Sequence, residues 1–147
     1  MSVAKALKKD SKLRSVVQSG IQAIEKKDRD CMHVASRKRV VDSLYLDKAL
    51  QPDHANDFRW DYIVSTGTLY GIETHSATTH EISVVIGKKK WAVARMREHL
   101  NDGQFVTAWY WVASGRVDFP DTGKVRRRLN QEGIELPGKS VTLPRPR

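Results

Sequence analysis

RWDYIVSTGTLYGIETHSA, residues 59–77, is the stretch on which the fold turns. From residue 58 the side chains alternate. Phe58, Trp60, Tyr62 and Val64 share one face of an extended segment, and Arg59, Asp61, Ile63 and Ser65 the other. Thr66 and Gly67 have turn chemistry. Residues 69–76 then read as a second strand, with Gly71, Glu73 and His75 on the face opposite Tyr70, Ile72 and Thr74. The pattern predicts an antiparallel hairpin with a carboxylate on each arm. Acidic residues are depleted in strands, and two on adjacent strands repel unless a cation or a shared proton lies between them. Whether Asp61 meets Glu73 depends on loop length. A two-residue loop pairs Ser65 with Thr68 and sets Asp61 opposite Ile72, whereas a three-residue loop pairs Ser65 with Leu69 and sets Asp61 opposite Glu73. Gly67 can supply the left-handed residue that the longer loop wants. Both registers are open at this level.

Convergent carboxylates make a hard oxygen site suited to Mg²⁺ or Mn²⁺, which activates water and neutralises charge on a phosphate. His75 lies two residues beyond Glu73, on the same face, and is a candidate ligand, proton carrier or phosphate contact. The competing reading makes Asp61 and Glu73 strand-end residues paired with Arg59 or a helix lysine.

Working outward, Ser11 is positioned to cap a first helix carrying Leu13, Val16, Val17, Ile21 and Ile24 at helical spacing. Residues 40–46 have strand composition, and residues 51–57, QPDHAND, form a loop. Thr78 and Glu81 have capping-box spacing before a long helix whose apolar face is Ile82, Val85, Ile86, Val93, Met96 and Leu100. Residues 105–113 read as a core strand. Asp121 or Thr122 caps a short helix that Gly133 ends, and residues 139–143 add a last short strand. The predicted class is α/β, an α+β mixed sheet flanked by helices. Residues 1–10 read as a loose basic segment, 11–143 as one domain and 144–147 as a tail.

The chain has 147 residues, a net charge of +9 and a pI near 9.8. An excess this large favours polyanions, phosphate backbones first, with acidic lipid surfaces or an acidic protein partner as alternatives. Lys5, Lys8, Lys9, Lys12 and Arg14 form one basic group, and Arg37, Lys38 and Arg39 another. Lys88, Lys89 and Lys90 spread around the long helix, and Lys124, Arg126, Arg127 and Arg128 crowd the short one. Each group alone reads as a solvated face. Together, Lys89, Lys90, Lys124, Arg126, Arg127 and Arg128 are the candidate nucleic-acid contacts. The aromatic residues Trp60, Trp91, Trp109, Tyr110 and Trp111 suit core packing better than base stacking. The single Cys31 excludes an internal disulfide and a cysteine-rich zinc site, and fits a reducing cytoplasm. No apolar leader and no membrane-length run occurs, so a cytoplasmic location without membrane partners is expected.

The run at residues 59–77, followed by a lysine-rich helix, resembles the PD-(D/E)XK, or restriction-endonuclease-like, nuclease superfamily. The resemblance covers roughly residues 12–113 as an element order of helix, three antiparallel strands, helix, strand. As a motif it rests on Asp61, Glu73 and the Gly71-Ile72-Glu73 texture. It implies a Mg²⁺- or Mn²⁺-dependent endonuclease hydrolysing DNA phosphodiesters, with Asp61 and Glu73 as metal ligands and Glu25 as a further ligand from the first helix. Trp60 stands where the motif often has proline, and His75 stands where it has its catalytic lysine. A neutral imidazole does not reproduce an ammonium beside the attacking water. The resemblance therefore implies a lysine from the following helix, which Lys88, Lys89 or Lys90 could supply, with Lys88 taken as the catalytic candidate, or a degenerate site that binds nucleic acid without cutting it. A metal-independent ribonuclease using His75 and His80 is a third expectation. DNA is expected over RNA, and a homodimer or an acidic protein partner stays open.

Overall fold

A computed structural model describes residues 1–119 and 122–144. In chain order the elements are α1 (Val3–Ala6), β1 (Gln18–Ser19), α2 (Val34–Arg37), β2 (Asp42–Tyr45), α3 (Leu46–Leu50), β3 (Tyr62–Ser65), β4 (Leu69–Thr78), α4 (Ile82–His99), β5 (Val106–Asp118), α5 (Thr122–Gln131) and β6 (Ile134–Gly138). Six strands form one mixed sheet in the order β1-β2-β3-β4-β5-β6. The first four strands run antiparallel. β5 then lies parallel to β4, and β6 parallel to β5, with α4 and α5 as the connecting crossovers.

Alternation along the strands splits the interior in two. Leu44, Ile63, Leu69, Trp109, Trp111 and Ile134 pack under α1, α3, α4 and α5. On the other face Tyr62, Val64, Tyr70, Ile72, Tyr110 and Val112 pack against Ile24, Cys31, Met32, Val40, Val141 and Leu143. A strand covered on both faces must be apolar on both, and this accounts for the density of β5. The expected apolar stripe of α4 is present, with Ile82, Val85, Ile86 and Met96 buried.

Several sequence expectations change. The first helix does not form. Lys12–Val16 is a single 3₁₀ turn, Gln18 and Ser19 pair with β2, and Gly20 turns the chain at φ 55°. Its apolar residues are divided between the two interiors, Leu13 under the helices and Ile24 on the opposite face, so no helical stripe unites them. Residues 1–10 are docked rather than loose. Val3, Ala6 and Leu7 are buried, and the Val3 and Ala4 amides donate to the Asp42 carboxylate at 2.8 and 3.1 Å.

β3 begins at Tyr62, four residues later than the alternation suggests. Trp60 joins Ile63 in the helix-side interior, edge-on to Trp109 with centroids 5.1 Å apart, while Phe58 is exposed. Arg59 holds the preceding loop by donating to the Asp47 carboxylate and to the carbonyls of His54 and Ala55. The capping box is not made: the Thr78 side chain caps nothing, and a 3₁₀ turn, Thr79–Glu81, precedes α4. The last strand is Ile134–Gly138 rather than residues 139–143, because Ile134 and Leu136 are the residues that alternate inward. Of the two candidate caps for α5, Asp121 lies outside the described residues. No helix among the described residues is long and apolar enough to cross a membrane.

Candidate functional site

The loop between β3 and β4 decides the site. Ser65 pairs with Leu69 and Tyr62 with Ile72, so three residues, 66–68, make the turn, with Gly67 at φ 110°. Continuing that register by one residue brings Asp61 across from Glu73. The Asp61 amide donates to Glu73 Oε1 at 3.0 Å. The Thr74 amide and hydroxyl both donate to Asp61 Oδ2, each at 3.1 Å. Ile72 faces the second interior, so Glu73 points to the helix side, where Lys88 Nζ donates to Glu73 Oε2 at 2.6 Å. The Glu73 side chain is 1% exposed and that of Lys88 16%.

Burial, and then the neighbouring Asp61 charge, push Glu73 up to about 8, against the pull of Lys88. Burial also raises Asp61 to about 6, opposed chiefly by the Thr74 amide and Lys88. Burial disfavours the Lys88 ammonium, but the Glu73 and Asp61 charges outweigh it and hold Lys88 above its ordinary value. The three charges are coupled: Lys88 donates to Glu73 and lowers both acids, and each acid raises Lys88. With both acids ionised the trio carries one net negative charge, which a further cation would offset.

Sequence reasoning missed the residues that support this trio. Asp47 donates its amide to the Asp61 carbonyl at 3.2 Å and accepts from Arg59 at 2.6 Å. Asp47 lies in the first turn of the short helix α3 and carries no local signal. Alternation puts Thr74 on the face of β4 opposite Glu73, yet its amide and hydroxyl reach the Asp61 carboxylate beside it.

His75 is brought elsewhere. Its Nε2 lies 2.7 Å from Glu81 Oε2, and Trp111 Nε1 donates to its carbonyl. Glu81 thus engages the imidazole instead of closing the predicted capping box. Glu25 does not join the acids. It lies just before the 3₁₀ turn Lys26–Cys31 rather than on a helix, its amide donates to the Tyr62 hydroxyl, and its carboxylate sits beside Tyr45. Among the described residues no group of three or more His, Cys, Asp or Glu side chains is arranged to hold a metal.

Of the predicted basic contacts, Lys90, Lys124, Arg126, Arg127 and Arg128 are exposed, and Arg126 Nε donates to the Leu136 carbonyl. Lys89 is half-buried, with its amine against Gly133. His80 is exposed. Comparison with protein-family models, curated proteins and solved structures returns no match.

Proposed function

We propose that the chain is a metal-dependent, nuclease-like protein that binds DNA and hydrolyses phosphodiester bonds at Asp61, Glu73 and Lys88. The order β2-β3-β4, crossover α4 and parallel β5 supports a restriction-endonuclease-like core. One observation carries the reading: the ammonium of a helix lysine sits on the second acid while the first acid lies across from it. This supplies the positive charge that His75 does not.

The donor set fits a small hard cation. Mg²⁺ takes one or two carboxylates and fills its remaining positions with water and substrate phosphate. Asp61 Oδ1 accepts no hydrogen bond among the described residues, and with both acids ionised the trio's one net negative charge favours a cation. Asp61 and Glu73 would hold Mg²⁺ or Mn²⁺, which when bound supplies a Lewis acid for the phosphate and for water. Thr74 fixes the Asp61 carboxylate by two hydrogen bonds. Lys88 orients Glu73 and offers positive charge to the developing phosphorane oxygens. Exposed Lys90, Arg127 and Arg128 would meet backbone phosphates. The test is plasmid cleavage with Mg²⁺ or Mn²⁺: wild type is expected to cut, and Asp61→Ala, Glu73→Ala and Lys88→Ala are expected not to. Equal cutting by the acid variants removes the assignment.

A second reading rests on a different observation. Both Glu73 oxygens are already engaged within the protein, and the side chain is closed from solvent. That arrangement favours a non-catalytic module of the same fold, binding nucleic acid or an acidic protein partner. It predicts salt-sensitive binding with no cleavage in any divalent ion.

A further inference from the structure

We infer that the cavity between residues 16–29 and the β2–α3 junction is a nucleotide subsite, taking the base on the Tyr45 side and the phosphate on Lys26, Arg29 and Lys48. The cavity measures about 560 Å³, within the range of small-molecule sites. Its wall mixes three cations with two amides, Gln18 and Gln22, and one carboxylate, Glu25. Lys26 and Lys48 are exposed and form no ion pair among the described residues, so their charges are available to a ligand. Gln18 and Gln22 are exposed as well, and donor–acceptor amides of this kind match the edges of bases.

Tyr45 supplies an aromatic surface. Its ring packs on Tyr62 with centroids 4.7 Å apart, which fixes its plane. Burial and the Glu25 carboxylate keep its phenol protonated. A fixed aromatic plane beside a basic wall is the arrangement on which single-stranded bases stack. An anion-only pocket would need neither the ring nor the amides.

Position links the cavity to the acid site. Tyr45 pairs with Tyr62, the residue after Asp61, and Asp47 donates to the Asp61 carbonyl. Tyr45 packs with Tyr62 on the face of the sheet opposite Glu73 and Lys88, so the cavity neighbours the acid site through the backbone of residues 61 and 62 and is a subsite in its own right. The choice of a nucleotide as ligand rests on the proposed function; the charge and shape of the cavity do not.

The experiment is calorimetric titration of the full chain, free of divalent ions, with each deoxynucleoside 5′-monophosphate and with inorganic phosphate. Saturable binding of at least one nucleotide is expected, at least about tenfold tighter than phosphate. The Lys26→Ala/Lys48→Ala variant should weaken it by about tenfold or more, and Tyr45→Leu should remove the preference over phosphate. Both lysines are exposed, so the double variant should keep the wild-type circular dichroism. No saturable binding below about 10 mM, or nucleotide and phosphate binding equally, or an unaffected double variant, overturns the subsite. Plasmid cleavage is scored separately. Nucleotide binding without cleavage removes only the catalytic reading, and cleavage without nucleotide binding removes only the subsite.

Discussion

Lys88 Nζ and Glu73 Oε2 are joined at 2.6 Å, a helix residue reaching back 15 positions to a strand residue that is itself closed from solvent. Removing one partner of such a pair leaves a buried charge without compensation. Lys88→Met should therefore lower cleavage by about 100-fold or more and change the pH dependence of stability. Without the ammonium, Glu73 rises further above its ordinary 4.5 than the about 8 it has in the wild type. A raised acid is more stably protonated in the folded chain. Its contribution is thus complete below the unfolded value and is lost as pH climbs toward the folded one. Melting temperatures at about pH 5 and about pH 9 should diverge more in Lys88→Met than in wild type.

Asp61 gives a prediction of opposite benefit. Its carboxyl is raised from 3.8 to about 6, so at neutral pH the folded protein carries an ionised group that it disfavours. Asp61→Asn keeps an acceptor for Thr74 and removes that charge. The variant should gain on the order of 2 kcal/mol at neutral pH. The gain should shrink as pH falls through about 6 and vanish below the unfolded value of 3.8, where wild-type Asp61 is protonated in both states. Urea denaturation across this range reads the difference, and cleavage should be lost throughout.

Gly71 pairs with Ile63 and Trp109 on its two neighbouring strands. A Cβ there would lie 2.3 Å from Trp109 Cε3 and 2.7 Å from Cζ3. The indole cannot simply swing aside, since it stands edge-on against buried Trp60. Gly71→Ala should cost about 2 kcal/mol or more in urea denaturation and alter tryptophan fluorescence.

His75 tests the division of labour. Its imidazole is held by Glu81 at 2.7 Å, and the acid pair is served by Lys88. His75→Ala should keep metal-dependent cleavage within about tenfold of wild type, whereas loss of an acid–base group costs about 100-fold or more. Activity that survives EDTA and disappears in His75→Ala would instead identify a metal-independent ribonuclease.

The hairpin was legible because strand alternation has period two and Gly67 marks the turn, while the β5 segment was dense in aromatic and β-branched residues. Element order was readable in outline, from the hairpin through α5, for the same reason. Periodicity misled where apolar residues at helical spacing belong to opposite faces of the sheet, as with Leu13 and Ile24. It could not choose among Lys88, Lys89 and Lys90 either, because only the packing of α4 on β4 selects the amine that reaches Glu73. Glu81 satisfied the spacing rule for a cap, yet its carboxylate had a competing partner in His75, six residues earlier and distant in pattern. Glu25 was placed by a helix that does not exist.

The three-residue turn at Gly67 has a consequence for how such a site can be gained or erased. Side chains on a strand answer to odd and even count, so the parity of the loop decides which partner Asp61 confronts. Replacing Gly67 so that the chain adopts a two-residue loop, with Ser65 paired to Thr68, would leave every acid, amine and core residue in the chain, yet set Asp61 against Ile72. The chemistry would then be silenced by arithmetic, with composition, charge and almost the entire sequence intact.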